Sequence, residues 1–350
     1  MSRFYNKKLD HLTTYIPGEQ PQNLSSFIKL NTNESPFEPS KKAIQRASEE
    51  LTKLNLYPDP DAKELVQEIA TYYGLNKDQV AVFNGSDELL SFCFQIFTPN
   101  GACYADITYG FYPVYAKVFG IDANIIPLRD DFSICVDDYI GQKGTVFIAN
   151  PNATTGLCLP LSDIEILLCQ DSDRLVVVDE AYVDFGAQSS VKLLAKYDNL
   201  IVVQTMSKSR SFAGARLGIA LSNKNIIQDI HRIRNCFNPY NVNRVTLAGA
   251  VGAFSDVEYF KSCTNEIAKN REQLKSELKK LNFFVTDSKS NFILCGSDKI
   301  SGEELYLKLK ENKVLVRHFK QDRISNFVRI TIGTKEQMDI LVQKIKEILA

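Results

Sequence analysis

The sequence predicts an α/β protein with a large domain, built on a mostly parallel sheet of the seven-stranded type flanked by helices, and a smaller α+β domain. Short apolar runs such as VAVF (80–83) and TVFIA (145–149) alternate with helical or loop segments, which is typical of parallel strands that are covered on both faces. From about residue 256 the pattern changes to a long amphipathic helix followed by short strands and further helices. A chain of 350 residues is long enough for both domains.

Local patterns predict the elements of the first two thirds of the chain. Residues 1–30 include Pro17, Gly18 and Pro21 and predict an irregular N-terminal arm. Helical periodicity covers 40–55 and about 61–73, where Gly74 is a suitable C-cap. Strands are predicted at 80–83, 102–105, 124–128, 145–149, 175–179, 200–204 and 216–221.

The remaining third of the chain predicts the smaller domain. It contains the long helix (257–282), two short strands, a helix, a strand at 327–333 and a final helix at 335–349. The predicted organisation is an arm at 1–30, a segment that contributes to the small domain at 31–50, the large domain at 51–245 and the small C-terminal domain at 246–350.

Composition and charge exclude several classes of protein. The formal net charge of −1 provides no long-range attraction to nucleic acid or to an anionic membrane. The N-terminus has no apolar core of signal-peptide length and no run approaches a membrane span, so we expect a cytoplasmic protein. Eight scattered cysteines without a C-x-x-C pair indicate free thiols, and three widely separated histidines predict no metal site. Small molecules are the expected substrates.

Polar residues stand directly after several predicted strands, at the edge where open parallel sheets bind ligands. Singly, each has an ordinary structural explanation: Gly-Ser-Asp before a helix is usually an N-cap, Asn-Pro-Asn is a common turn, and an Asp at a strand end commonly forms an ion pair. Together they supply the groups that a single cofactor requires. These groups are Gly85, Ser86 and Asp87; Asn150 to Gly156; Asp179 to Tyr182; Thr205 to Lys208; and Arg216.

That cofactor is pyridoxal phosphate, whose binding needs an amine for a Schiff base, a carboxylate for the ring nitrogen and a cradle for the phosphate. Lys208 can supply the amine, and Asp179 on a neighbouring strand end can keep the ring nitrogen protonated. Gly85, Ser86 and Asp87, at the start of a predicted helix, offer backbone N–H groups to the phosphate.

Further residues of the same runs complete the predicted cofactor site. Ser207 and Arg216 can add a hydroxyl and a guanidinium fork to the phosphate, and Thr205 belongs to the same strand end. Tyr182 can reach the phenolate oxygen of the ring. Tyr109 can stack on the ring face, and its ordinary alternative is a core tyrosine.

The order and identity of these motifs resemble those of fold-type I, pyridoxal-phosphate-dependent aminotransferases of class I and II. The resemblance is carried by Ser207-Lys208 followed by Ala213-Gly214-x-Arg216-x-Gly218, with DEAY (179–182) and GSDE (85–88) upstream. Within this class the chain is most similar to the histidinol-phosphate aminotransferases. Supporting motifs are YIPG (15–18), LNTNESP (30–36), YPD (57–59), PYNVN (239–243) and VRITIG (328–333).

The resemblance implies an activity and further residue roles. The reaction would convert histidinol phosphate and 2-oxoglutarate to imidazole acetol phosphate and glutamate, in histidine biosynthesis. Tyr57 would reach the cofactor phosphate of the other subunit of a homodimer with shared active sites. Arg329 and Arg317 would bind the substrate anion, and Tyr15 would close over the substrate.

The chain departs from the family pattern at two positions. Ala153 stands where the family has an asparagine that donates to the phenolate oxygen, and the proline that normally follows is missing. Asn152, one residue earlier, is the candidate replacement. Ile107 stands where a proline commonly precedes the stacking aromatic residue.

Two alternative functions follow from the same sequence. A related pyridoxal-phosphate enzyme with another substrate, such as a threonine-phosphate decarboxylase or an aminotransferase for an aromatic or sugar-pathway substrate, would use the same arginines. A nucleotide-binding oxidoreductase or non-catalytic binding domain would require a G-x-G-x-x-G turn after the first strand, and the sequence contains neither that turn nor a P-loop.

Overall fold

The computed structural model describes residues 2–12, 14–21, 23 and 26–350. The predicted N-terminal arm (1–30) therefore includes positions that lie outside the described residues, namely 1, 13, 22, 24 and 25. The described part of the arm includes a short 3-10 turn at Lys7–Leu9 and a two-residue strand at Ile28–Lys29.

Thirteen strands and ten α-helices make up the described chain. The strands are β1 (Ile28–Lys29), β2 (Val80–Asn84), β3 (Ala102–Ala105), β4 (Ala123–Ile126), β5 (Thr145–Ala149), β6 (Val176–Asp179), β7 (Leu200–Thr205), β8 (Leu217–Ser222), β9 (Phe284–Val285), β10 (Phe292–Gly296), β11 (Val314–Leu315), β12 (Arg317–His318) and β13 (Phe327–Thr331). The helices are α1 (Lys41–Ser48), α2 (Lys63–Tyr73), α3 (Gly85–Phe97), α4 (Tyr112–Phe119), α5 (Leu161–Gln170), α6 (Lys224–Phe237), α7 (Arg244–Phe254), α8 (Val257–Lys280), α9 (Gly302–Glu311) and α10 (Lys335–Leu349).

Seven strands form the large sheet, in the order β2-β8-β7-β6-β5-β3-β4. Only β8 runs antiparallel to its neighbours, β2 and β7; the other adjacent pairs are parallel. A second, antiparallel sheet has the order β12-β13-β10-β9, and β1 pairs with β11. The predicted fold class is confirmed, and the carboxyl ends of β5, β6 and β7 meet at one edge.

The large sheet is buried on both faces because its central strands are uninterrupted apolar runs. Alternate residues of β6 point to opposite sides: Val176 and Val178 pack in one core cluster, and Val177 packs in the other. A third cluster fills the smaller sheet and includes Phe292 and Ile330. Tyr182, from the edge of the large sheet, belongs to this third cluster, so the two sheets meet where the strands end.

Two predicted helices are shorter in the structure. The helix predicted at 40–55 begins after its N-cap Ser40 and ends at Ser48; a 3-10 turn follows at Leu51–Lys53. Leu51 is exposed, so continuing the helix would bury no apolar face there. The helix predicted from about 61 begins at Lys63, because Ala62 has a left-handed backbone (φ +47°), and it ends at the predicted C-cap Gly74.

The domain boundaries given above stay a prediction. In the structure, α1 packs against α7, and Ala43 of α1 belongs to a core cluster of the large sheet. No helix among the described residues is long and apolar enough to cross a membrane.

Candidate active site

A cavity that is partly open to solvent lies at the carboxyl ends of β5, β6 and β7. Its walls come from strand ends that are distant in sequence, which is why a parallel sheet can gather polar groups at one edge. The structure brings the following predicted residues together in its lining: Ser86, Asp87, Tyr109, Asp179, Tyr182, Thr205, Ser207, Lys208 and Arg216.

Lys208 lies on the loop that follows β7. Its Nζ donates a hydrogen bond to the backbone carbonyl of Thr32, at 3.3 Å, and lies 5.9 Å from the centre of the Tyr182 ring. Burial, reinforced by the nearby Arg329 cation, lowers the pKa of the Lys208 amine to about 8. An amine with this pKa has a substantial neutral fraction near pH 8, and the neutral form is the nucleophile.

Asp179 is the last residue of β6 and is only 5% exposed. Its carboxylate accepts hydrogen bonds from the Tyr112 hydroxyl (3.1 Å) and from the backbone N–H of Ala181 (3.2 Å). Burial raises the pKa of Asp179 to about 6, although these two hydrogen bonds oppose the shift. Asp179 is thus a buried carboxylate in need of a cationic partner.

The start of α3 forms a backbone cradle beside the cavity. Gly85 has a left-handed backbone (φ +78°), and its N–H donates to the carbonyl oxygen of Arg216 at 3.1 Å. A Cβ atom at Gly85 would lie 2.5 Å from Nη2 of Arg216 and would displace that guanidinium, and the positive φ itself favours glycine. The next two residues, Ser86 and Asp87, line the cavity at the helix N-terminus, where backbone N–H groups favour anions.

Arg216 and two hydroxyl groups complete this end of the cavity. The guanidinium donates to the Asp87 carboxylate at 2.9 Å. The Ser207 N–H donates to the Thr205 hydroxyl oxygen at 3.1 Å, and the two hydroxyl oxygens lie 3.0 Å apart. The Thr205 hydroxyl also lies 3.1 Å from the Leu217 carbonyl, so its hydrogen is used within the protein. The guanidinium, the Ser207 hydroxyl and the helix N–H groups form a donor set suited to a phosphate.

Two tyrosines line the walls of the cavity. The hydroxyl of Tyr109 donates to the other oxygen of the Asp87 carboxylate, which holds the ring at the cavity wall. Tyr182 is buried, and its hydroxyl oxygen accepts a hydrogen bond from the amide of Asn33 at 3.0 Å.

The predicted substrate residues form an outer layer around Arg329. One guanidinium nitrogen of Arg329 donates to the carbonyl of Ala153 at 2.8 Å, whereas its Nε is buried without a hydrogen-bond partner. Arg317 donates to the carbonyl of Ile16 at 3.1 Å, which holds the arm beside Tyr15. Burial lowers the pKa of Arg329. The Arg317 charge lowers this pKa further, and Tyr15 opposes the shift.

Besides Gly85 and the outer layer of Tyr15, Arg317 and Arg329, two more predicted residues do not line this cavity, Asn152 and Tyr57. The Asn152 amide donates to the carbonyl of Ile107 at 2.9 Å, and its oxygen accepts from the N–H groups of Thr154 and Thr155. Asn152 therefore stabilises its own loop, and Ala153 faces the cavity. Tyr57 is 78% exposed and stacks on Tyr240, with ring centres 4.5 Å apart, on the outer surface of the chain.

Sequence reasoning assigned no role to three residues that contact the site: Thr32, Asn33 and Tyr112. The first two belong to the LNTNESP motif (30–36), which was noted only as a mark of resemblance. Tyr112 begins α4 only three residues after Tyr109, and that spacing was a usable signal.

The chain resembles known proteins along nearly its whole length. The family model described as aminotransferase class I and II matches residues 25–345. A histidinol-phosphate aminotransferase of Brachyspira hyodysenteriae is 48% identical over 355 residues, covering 100% of this chain and 99% of the relative. A histidinol-phosphate aminotransferase of Clostridium beijerinckii is 45% identical, covering 100% and 98%.

Solved structures have the same fold. The histidinol-phosphate aminotransferase of Clostridium acetobutylicum matches with a TM-score of 0.85 at 25% identity, covering 92% of this chain and 99% of the other. The enzyme of that name from Sinorhizobium meliloti, in complex with pyridoxal-5'-phosphate, matches with a TM-score of 0.89 at 21% identity, covering 100% and 98%.

Proposed function

The chain belongs to the class I and II aminotransferase family, and from this premise we propose that it transfers an amino group from histidinol phosphate to 2-oxoglutarate, with pyridoxal phosphate as cofactor. The products are imidazole acetol phosphate and glutamate, a step of histidine biosynthesis. The observation that carries the proposal is one cavity with the Lys208 amine, the buried Asp179 carboxylate and an anion cradle in its lining. Relatives that bear the name of this enzyme match along the whole chain.

The residues present fit pyridoxal phosphate. A side chain at Gly85 would displace the Arg216 guanidinium, and Ser86, Ser207 and Arg216 offer donors to a phosphate. The Asp179 carboxylate, whose pKa is raised by burial, forms no ion pair among the described residues, and a protonated ring nitrogen would supply one.

Lys208 moves the proton in the reaction. When bound, pyridoxal phosphate provides an electron-withdrawing ring that stabilises negative charge on the substrate carbon. With a pKa lowered to about 8, chiefly by burial, the amine can accept a proton and return it near neutral pH. Its contact with the Thr32 carbonyl keeps the amine at the cavity wall.

Asp179 and Tyr182 set the charge of the ring. The Asp179 carboxylate, fixed by Tyr112 and Ala181, would pair with the ring nitrogen and favour its protonated form. The Tyr182 hydroxyl would serve the phenolate oxygen, because the Ala153 side chain cannot donate and the Asn152 amide donates to the Ile107 carbonyl instead. Tyr109, in the cavity wall, would cover one face of the ring.

Arg329 binds the anionic end of each substrate: the phosphate of histidinol phosphate and a carboxylate of the keto acid. Its buried Nε has no partner and is available to such a group. Arg317 and Tyr15 stand next to it on the side of the N-terminal arm and close that end of the site.

The active unit is a homodimer, in which Tyr57 serves the cofactor phosphate of the other subunit. Tyr57, its chain neighbour Leu56 and Tyr240, on which Tyr57 stacks, are exposed, and a dimer interface would remove them from water.

The proposal is tested with purified protein, pyridoxal phosphate, histidinol phosphate and 2-oxoglutarate. Glutamate should form, and histidinol without its phosphate should be a much poorer donor. Lys208→Ala should lose turnover, and Asp179→Ala should keep the fold but lose most activity. Absence of glutamate, or release of carbon dioxide from threonine phosphate, would reject the proposed reaction in favour of a different one.

A further inference from the structure

We propose that Asn33 is a positioning residue, which orients the Tyr182 hydroxyl towards the cavity and fixes the adjoining Thr32 carbonyl that holds Lys208. This inference rests on the proposed function, because its consequence is read from the bound cofactor. Asn33 is 1% exposed and has a left-handed backbone (φ +55°). Such a conformation is uncommon outside glycine, although asparagine tolerates it better than most residues.

All four polar groups of Asn33 are used. Its N–H donates to the hydroxyl oxygen of Thr331 at 3.0 Å, and its carbonyl oxygen accepts from the Asn291 amide at 3.0 Å. Its side-chain oxygen accepts from the Thr331 hydroxyl at 3.1 Å, and its side-chain nitrogen donates to the Tyr182 hydroxyl oxygen at 3.0 Å. These bonds tie the segment after β1 to the smaller sheet and to the edge of the large sheet.

The donors and acceptors around the side chain agree with the direction of the last bond. The Thr331 hydroxyl oxygen accepts from the Asn33 N–H, and its hydrogen is free to donate to the Asn33 side-chain oxygen. In this arrangement the amide nitrogen faces Tyr182. An amide nitrogen only donates, so the Tyr182 oxygen accepts, and its own hydrogen remains available for an acceptor in the cavity.

The same segment also contacts the amine. The carbonyl of Thr32, directly before Asn33, accepts from Nζ of Lys208. Thr331 lies two residues from Arg329 on β13, so both side chains project from the same face of that strand. Asn33 thereby connects Tyr182, Lys208 and β13, the strand that carries Arg329.

The test uses the pH at which the absorbance of bound pyridoxal phosphate changes. A hydroxyl that donates to the phenolate oxygen stabilises the deprotonated chromophore, so its loss raises the midpoint. We expect Tyr182→Phe to raise the midpoint by about one unit and Asn33→Ala by about half a unit. In the double variant the midpoint should match that of Tyr182→Phe alone, since Asn33 acts through the missing hydroxyl.

Two further variants separate positioning from packing. Asn33→Asp keeps the oxygen that accepts from Thr331 but loses the N–H group that donates to Tyr182. It should raise the absorbance midpoint as Asn33→Ala does. This variant serves as the test if Asn33→Ala folds poorly. Thr331→Val keeps the Asn33 donor but removes the hydroxyl that orients it, so it should raise the absorbance midpoint by less than Asn33→Ala does while lowering the thermal midpoint of unfolding.

Several results would overturn the inference. An unchanged absorbance midpoint in both Asn33 variants, full additivity in the double variant, or an equal absorbance shift in Thr331→Val would each reject it while leaving the proposed function standing. Wild-type protein that binds pyridoxal phosphate without a titrating absorbance would instead reject the proposed function, and this inference with it.

Discussion

At the scale of the residue, burial shifts the pKa values of the two central groups in opposite directions. Burial lowers the pKa of the Lys208 amine to about 8 and raises that of the Asp179 carboxyl to about 6. Each shift favours the neutral form, since neither group is fully compensated by the protein alone. The two groups are thus prepared for a ligand that brings an aldehyde to the amine and a positive charge to the carboxylate.

The rate at which cofactor-free protein takes up pyridoxal phosphate should depend on the neutral fraction of Lys208. We expect the rate to rise with pH to a midpoint near 8, because burial and the Arg329 charge lower the pKa of this amine. Arg329→Ala should move the midpoint upward by removing the like charge. Stopped-flow absorbance checks this, and a wild-type midpoint near 10.5, the ordinary lysine value, would contradict it.

Asp179 should make the cofactor-free protein less stable as pH rises. Because its pKa is raised to about 6 from 3.8, chiefly by burial, the folded state holds a proton in this interval that the unfolded state has lost. The free energy of unfolding therefore decreases from pH 4 to above pH 6, by an amount on the order of 2 kcal/mol for this group.

Asp179→Asn should remove that contribution. Urea unfolding of both proteins at pH 5 and pH 8 measures the effect, and the variant should gain stability relative to the wild type at the higher pH. An equal difference at the two pH values would show that Asp179 does not titrate as described.

At the scale of the element, the site depends on the contact between β8 and the start of α3. A Cβ atom at Gly218 would lie 2.4 Å from the backbone carbon of Gly85 and 2.5 Å from the backbone nitrogen of Ser86. Backbone atoms cannot move aside as the tip of a flexible side chain does. The glycine in β8 thus sets how closely the anion cradle approaches the sheet.

Gly218→Ala should therefore lower both stability and cofactor affinity. We expect a loss of about 1–3 kcal/mol in the free energy of unfolding, as for other overpacked sites, and a weaker affinity for pyridoxal phosphate. Gly214→Ala is the matched control, because nothing lies within 4 Å of a Cβ atom there. Denaturant unfolding and cofactor titration give the comparison, and two indistinguishable variants would refute the proposed role of this contact.

At the scale of the whole molecule, one chain contains the cavity, but Tyr57 lies away from it on an exposed apolar surface. If two subunits share their sites, Tyr57 and Lys208 of the same chain serve different cavities. Subunit mixing can detect this arrangement.

Tyr57→Ala and Lys208→Ala should each be weakly active or inactive alone and should complement each other when mixed. A hybrid dimer would contain one site with both residues intact. With random assortment half of the dimers are hybrids, so we expect about a quarter of wild-type activity. Equal amounts of the two variants are dissociated, mixed and assayed; each variant mixed with itself is the control. No recovery in hybrids whose formation is verified would rule out a shared site.

Much of this site was predictable because strand ends are local in sequence. Asp179 and Lys208 follow apolar runs directly, and the parallel topology that those runs predict places such residues at one edge. Asn152 behaved differently: its amide is used by Ile107 and by its own turn, and a contact with residue 107 is not visible in local sequence. The same holds for Asn33, whose partners Thr331 and Tyr182 are far from it along the chain.

The sequence by itself determined the α/β fold, the order of the strands' polar ends and the chemical kind of each group, because periodicity and residue type act over short spans. Only the tertiary structure decided which hydrogen-bond partners each group has, how deeply Lys208 and Asp179 are buried, and therefore where their pKa values lie. Desolvation and hydrogen bonding depend on neighbours brought together by packing, and these come from every part of the chain.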